Sequence, residues 1–183
     1  MTVSREFEAI RLDVQRFADD GALLQGEWPL RELPRLLDSA AEDRRPGPDS
    51  TVHWQARGQR VAGPDPAIWL HVGARTSLAL QCQRCLAPVD VEVEVDRRFR
   101  FVRGEAAAAA LDATSEDDVL ALTRALNLRE LIEDELLLAL PLVPMHPVCP
   151  TPLQVEKEGL EVAEEANPFA VLAALKRERG ADH

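Results

Sequence analysis

Two cysteines separated by two residues, Cys82 and Cys85, lie in Gln81-Cys82-Gln83-Arg84-Cys85-Leu86, between two stretches that alternate apolar and polar residues. A Cys-x-x-Cys knuckle at the tip of a β-hairpin lets both sulfurs converge on one metal ion without backbone strain. A second pair of similar spacing occurs in His146-Pro147-Val148-Cys149, which holds the third and last cysteine of the chain. Cys82, Cys85, His146 and Cys149 are thus the candidate ligands of one structural zinc. A plainer reading stands beside this one, because free thiols are often buried and pack as small hydrophobes. A redox dithiol is the weakest option. A thioredoxin-like pair opens a helix whose dipole lowers the attacking thiol's pKa, whereas here Pro88 and the alternating run Val89-Asp90-Val91-Glu92-Val93-Glu94-Val95-Asp96 follow.

Other residues invite chemistry less strongly. Arg97-Arg98-Phe99-Arg100-Phe101-Val102-Arg103 interleaves cations and rings on a strand, one way of holding RNA. The simpler reading keeps Phe99 and Phe101 on the inward parity of the valines and leaves the arginines on a solvated face. Arg98 and Arg100 then remain candidates to touch a phosphate or an acidic partner surface. Glu133-Asp134-Glu135 resembles a carboxylate pair for acid–base work, but three acids in a row on a helix read more simply as a solvated edge. No Gly-rich phosphate loop or nucleophilic constellation is recognisable.

The elements that must position these residues read as an α+β domain: an antiparallel β-meander or partly closed sheet, a few packing helices and a C-terminal tail helix. Phe7, Ile10, Val14 and Phe17 recur at helical spacing with Leu12 off that face, followed by a strand over 23–29 and a short helix over 30–41 with Pro34 in its first turn. The sheet continues through Val52-His53-Trp54-Gln55-Ala56-Arg57 and the alternation of Ile68, Leu70, Val72, Ala74, Thr76, Leu78 and Leu80, with Gly73 as a possible bulge. That parity carries Cys82 to the apolar side. The alanine run of 105–115 lacks an apolar stripe and reads as a mobile loop, and 119–123 as an edge strand. Asn127 and Glu130 open a helix that Pro141 ends. The domain spans 1–150, an acidic flexible linker 151–166 and an amphipathic tail helix 167–183, with Phe169, Leu172 and Leu175 on one stripe as candidate partner contacts.

Composition narrows the classes. A chain of 183 residues, 46% hydrophobic, suffices for one domain with a real core. Its formal net charge of −11 opposes non-specific attraction to phosphate backbones. An odd number of cysteines does not make a secreted disulfide framework, the first residues lack a basic segment followed by an apolar core, and no apolar run is long enough to cross a bilayer. The expected location is the cytoplasm, with no membrane partner.

Three segments in order resemble the YceD family of large ribosomal RNA subunit accumulation proteins: Cys82-Gln83-Arg84-Cys85 with its following strand, Ile132-Glu133-Asp134-Glu135-Leu136-Leu137-Leu138-Ala139-Leu140-Pro141-Leu142-Val143-Pro144 with His146 and Cys149 nearby, and Asn167-Pro168-Phe169-Ala170-Val171-Leu172. The resemblance implies an α+β domain and a non-enzymatic accessory role in synthesis, processing or stability of large-subunit (23S) rRNA. The partners it implies are ribosome-assembly or rRNA-processing proteins, and rRNA contacted directly or indirectly. The acidic net charge makes a basic protein partner at least as fitting as bare RNA. Two alternatives come from the residues: a zinc- or dithiol-dependent enzyme, and an interaction adaptor acting through the tail helix.

Overall fold

The computed structural model describes residues 7–63 and 66–150. The linker and tail helix expected over 151–183, with Phe169, Leu172 and Leu175, lie outside the described residues.

Alternation of apolar and polar residues makes the sheet. Strands β1 (Leu23–Pro29), β2 (Thr51–Val61), β3 (Ala67–Gln81), β4 (Pro88–Val102) and β5 (Asp118–Ala121) form one open sheet in sequence order. The first four pair antiparallel as a meander, and β5 runs parallel to β4. Parallel pairing of neighbours needs a crossover, supplied by α3 (Glu105–Asp112), which packs on β5 where Ala108 and Val119 are both buried. The alanine run is therefore a helix and not a mobile loop. High alanine propensity suffices once a strand edge offers something to cover.

Even-numbered residues of β3 and odd-numbered residues of β4 share the buried face: Leu70 is opposite Phe99, Ala74 opposite Val95 and Leu80 opposite Val89. The register passes Gly73 unbroken, opposite Gln55 on one side and Asp96 on the other, so no bulge resets the parity. Three helices contribute to the core on this face: α1 (Val14–Asp19), α2 (Pro34–Asp38) and α4 (Leu128–Leu138), through Phe17, Leu36, Ile132 and Leu136. Asp13 caps α1 by accepting from the Arg16 amide at 3.2 Å, and Asn127 caps α4 by accepting from Glu130 at 3.4 Å. Helix α1 crosses β2 at Gly58, where a Cβ would lie 2.6 Å from the Phe17 carbonyl oxygen.

Near the amino terminus the helical stripe does not hold as read. Ile10, in a short 3₁₀ turn, is 56% exposed, while Leu12 is fully buried through a bridge to Leu126. The solvated-edge reading of α4 also fails. Glu133 and Glu135 are buried, the first bound to Arg35 and the second to Arg97 at 3.0 Å. Among the described residues no helix is long and apolar enough to cross a membrane.

Candidate metal centre

The β3–β4 connection is short because both strands run fully paired to their ends, Gln81 opposite Pro88. The intervening knuckle closes on itself: Cys82 donates its N–H to the Ala87 carbonyl at 3.0 Å, and Leu86 donates to the Cys82 carbonyl at 2.9 Å. Leu86 adopts φ +62° to complete the turn, a left-handed conformation that costs a side chain about 1–2 kcal/mol. From the other side, α4 ends at Leu138 and the chain returns over the knuckle. There the Gln83 N–H donates to the Pro144 carbonyl at 2.9 Å.

This return brings the two half-sites together. The ligand atoms of Cys82, Cys85, His146 and Cys149 all lie within 4.8 Å of one another. Cys85 Sγ is 3.4 Å from His146 Nδ1. Tetrahedral zinc, with Zn–S of about 2.3 Å and Zn–N of about 2.0 Å, holds its donors roughly 3.3–3.8 Å apart, so the sulfur–nitrogen separation fits one ion between them. The other imidazole nitrogen, Nε2, is 3.1 Å from the Pro88 carbonyl oxygen. A hydrogen bond to that carbonyl uses a proton on Nε2, and in the neutral ring this leaves Nδ1, the nitrogen facing the sulfurs, free to ligate a metal.

Electrostatics agree with a ligand set. Burial pushes the Cys82 thiol up, but the backbone N–H groups of Cys85, His146 and Arg84, together with the His146 ring, outweigh it and bring the thiol down to about 5. Cys149 is pushed up by its burial and by hydrogen bonds to Cys85 and Cys82. One sulfur is readily ionised, and ionising the next is opposed by the negative charge already present. A dication relieves that opposition. Three thiolates and one imidazole are soft donors that suit zinc, and four protein ligands leave no coordination position for substrate.

The residues outside this cluster fall elsewhere. Phe99 and Phe101 are buried in the core, as their parity requires, while Arg98 is exposed and Arg100 half-buried on the opposite face. The guanidinium of Arg98 lies over the ring of Trp69, 4.4 Å from its centroid. Trp69 is a residue that sequence reasoning passed over, although its odd number in β3 puts a large ring on the polar parity. The Pro88 and Pro144 carbonyls carry no side-chain signature.

Comparison with known proteins bears on the same region. The family model described as "Large ribosomal RNA subunit accumulation protein YceD" matches residues 70–176. A curated relative from Haemophilus influenzae, bearing that same description, is 38% identical over 119 residues, which cover 62% of this chain and 68% of the relative. No solved structure matches the chain.

Proposed function

The chain belongs to the YceD family, and from that premise we propose that it is a non-enzymatic accessory factor that sustains accumulation of large-subunit ribosomal RNA in the cytoplasm. The family match carries this reading, and the chemistry of the cysteine cluster supports it. A site whose four protein donors would fill a tetrahedral shell is built to hold structure, not to turn over substrate. In this reading Cys82, Cys85, His146 and Cys149 hold one zinc, which cross-links the β3–β4 turn to the chain after α4. The Pro88 carbonyl fixes the His146 tautomer, and the Gln83–Pro144 hydrogen bond aligns the two segments.

Deletion of the gene is expected to lower mature large-subunit rRNA and the large-subunit peak in a sedimentation profile, with restoration by the wild-type chain. Unchanged rRNA and subunit profiles in a clean deletion would refute the role. An enzymatic role through the dithiol predicts the reverse pattern at the cysteines: loss of turnover in a C82S/C85S variant that keeps its fold.

A further inference from the structure

The open face of the sheet carries a feature that folding stability does not explain. Register places Arg57, His71 and Arg98 directly opposite one another across β2, β3 and β4. Two arginines flank one histidine in this row with no acid between them, whereas opposite charges across strands are the stabilising arrangement. Elsewhere on this face basic side chains stand opposite acids: His53 lies 3.0 Å from Glu27, and Arg75 is opposite Glu94. In the adjacent row Trp69 stands between Gln59 and Arg100. The Arg98 guanidinium rests on the Trp69 ring and is held from the rim by an ion pair with Asp117. His71 Nε2 is held by the Gln59 side chain at 3.2 Å.

One end of the row, Arg57 and His71, borders a concavity, and Arg98 with Trp69 stands beside it on the open sheet. A cleft of about 980 Å³ runs along Gln55, Arg57, Gln59 and His71, with Asp19, Asp20 and the Asp19-paired Arg60 on its far wall. Next to His71 on β3, Gly73 leaves room for the Gln55 side chain: a Cβ there would come within 3.2 Å of the Gln55 amide. With strands about 4.8 Å apart, the three side chains span roughly 10 Å. Toward the knuckle the same face of β4 turns acidic at Asp96, Glu94, Glu92 and Asp90, which bounds the cationic patch on that side.

We propose that this row is a platform for single-stranded RNA, in which an unpaired base stacks on the Trp69–Arg98 unit while Arg57 and His71 take flanking phosphates. The proposal rests on the rRNA role above. Arginines beside a half-buried ring that carries a guanidinium on its face suit a polyanion with free bases. A flat sheet does not enter the deep, narrow major groove of duplex RNA, and a basic protein surface would be repelled by the row.

The test is fluorescence anisotropy of the full-length protein with a short, labelled, mixed-sequence single-stranded RNA. Wild type should bind saturably and prefer this RNA to its duplex. W69A should bind about tenfold more weakly or worse, and W69F should retain most of the affinity. R57E should weaken binding and lower the log–log salt slope by about 0.7 or more. R31E, an equal charge change on the 3₁₀ turn after β1, should match wild type. Thermal unfolding of each variant checks the fold, and if W69A unfolds, W69F and R57E decide. Absence of saturable binding by wild type, preference for duplex, or wild-type affinity in R57E and W69A overturns the platform. In a deletion strain with lowered rRNA, full restoration by a folded W69A/R57E chain overturns the platform and leaves the accessory role standing. Normal rRNA in the deletion strain instead refutes the role, and the anisotropy result then judges the platform by itself.

Discussion

At the scale of residues, the knuckle sets two expectations. Protein purified without chelator should carry one zinc per chain by elemental analysis, and C149S should lose it, with a fall in melting temperature that chelator reproduces in wild type but not in the variant. A metal-free wild type of equal stability would leave the thiols as packing groups. Leu86 gives an independent measure of how the turn is strained. Its side chain is 57% exposed, so Leu86→Gly forfeits little burial and relieves the positive φ. Against that stands the greater backbone freedom of glycine in the unfolded chain, leaving a net gain of about 0.5 kcal/mol or a rise in Tm of about 1–2 °C. A lower Tm for Leu86→Gly would contradict this account. The four candidate ligands were legible because cysteine and histidine are scarce and the spacing within each pair is local. The strain at Leu86 was not, since nothing in a leucine announces a left-handed turn.

At the scale of elements, the acidic run in α4 does structural work in another helix. Helix α2 has no side-chain cap of its own, and Glu133 supplies one from a distance. One carboxylate oxygen accepts from the Arg35 and Leu36 amides at 2.8 and 3.2 Å, and the other from the Arg35 guanidinium at 2.9 and 3.1 Å. Removing it strands two amides and an arginine, so Glu133→Ala should cost about 2–4 kcal/mol in urea unfolding. Glu133→Gln should cost clearly less, because an amide oxygen still accepts from the two amides. Equal losses in both variants would show that charge, not capping, is what matters. Sequence reasoning found the strands and α4 because their patterns are local: alternating valines in β4, and Asn127 with Glu130 at a helix start. It misread Glu133 and Glu135 because their partners, Arg35 and Arg97, are brought to them only by tertiary packing. It misread the alanine run for the same reason. Only the parallel pairing of β5 reveals what α3 covers.

At the scale of the whole molecule, pH reports on the seam between helix and sheet. Burial raises the Glu135 carboxyl above its usual range, with Arg97 pulling the other way and Asp118 adding to the rise. The folded state therefore binds this proton more tightly than the unfolded chain. The group's contribution to stability is fully present below its unfolded pKa and is lost as pH climbs through the raised folded value. Wild type should lose stability over that window just above the ordinary glutamate range, and Glu135→Gln should flatten this part of the profile. An identical slope in the variant would assign the titration elsewhere. Fold class and the order of the meander were readable from alternation. The division of the open face into cationic and acidic halves was not, because it depends on which residues the register sets opposite one another. The long β3–β4 ribbon also works as a ruler. Cys82 lies just past one end and Trp69 near the other, and thirteen steps of extended chain put them roughly 40 Å apart, several Debye lengths at physiological salt. Charge neutralised at the sulfurs is thus inaudible at the ring, and any message between them must travel as a slip or fraying of the ladder itself.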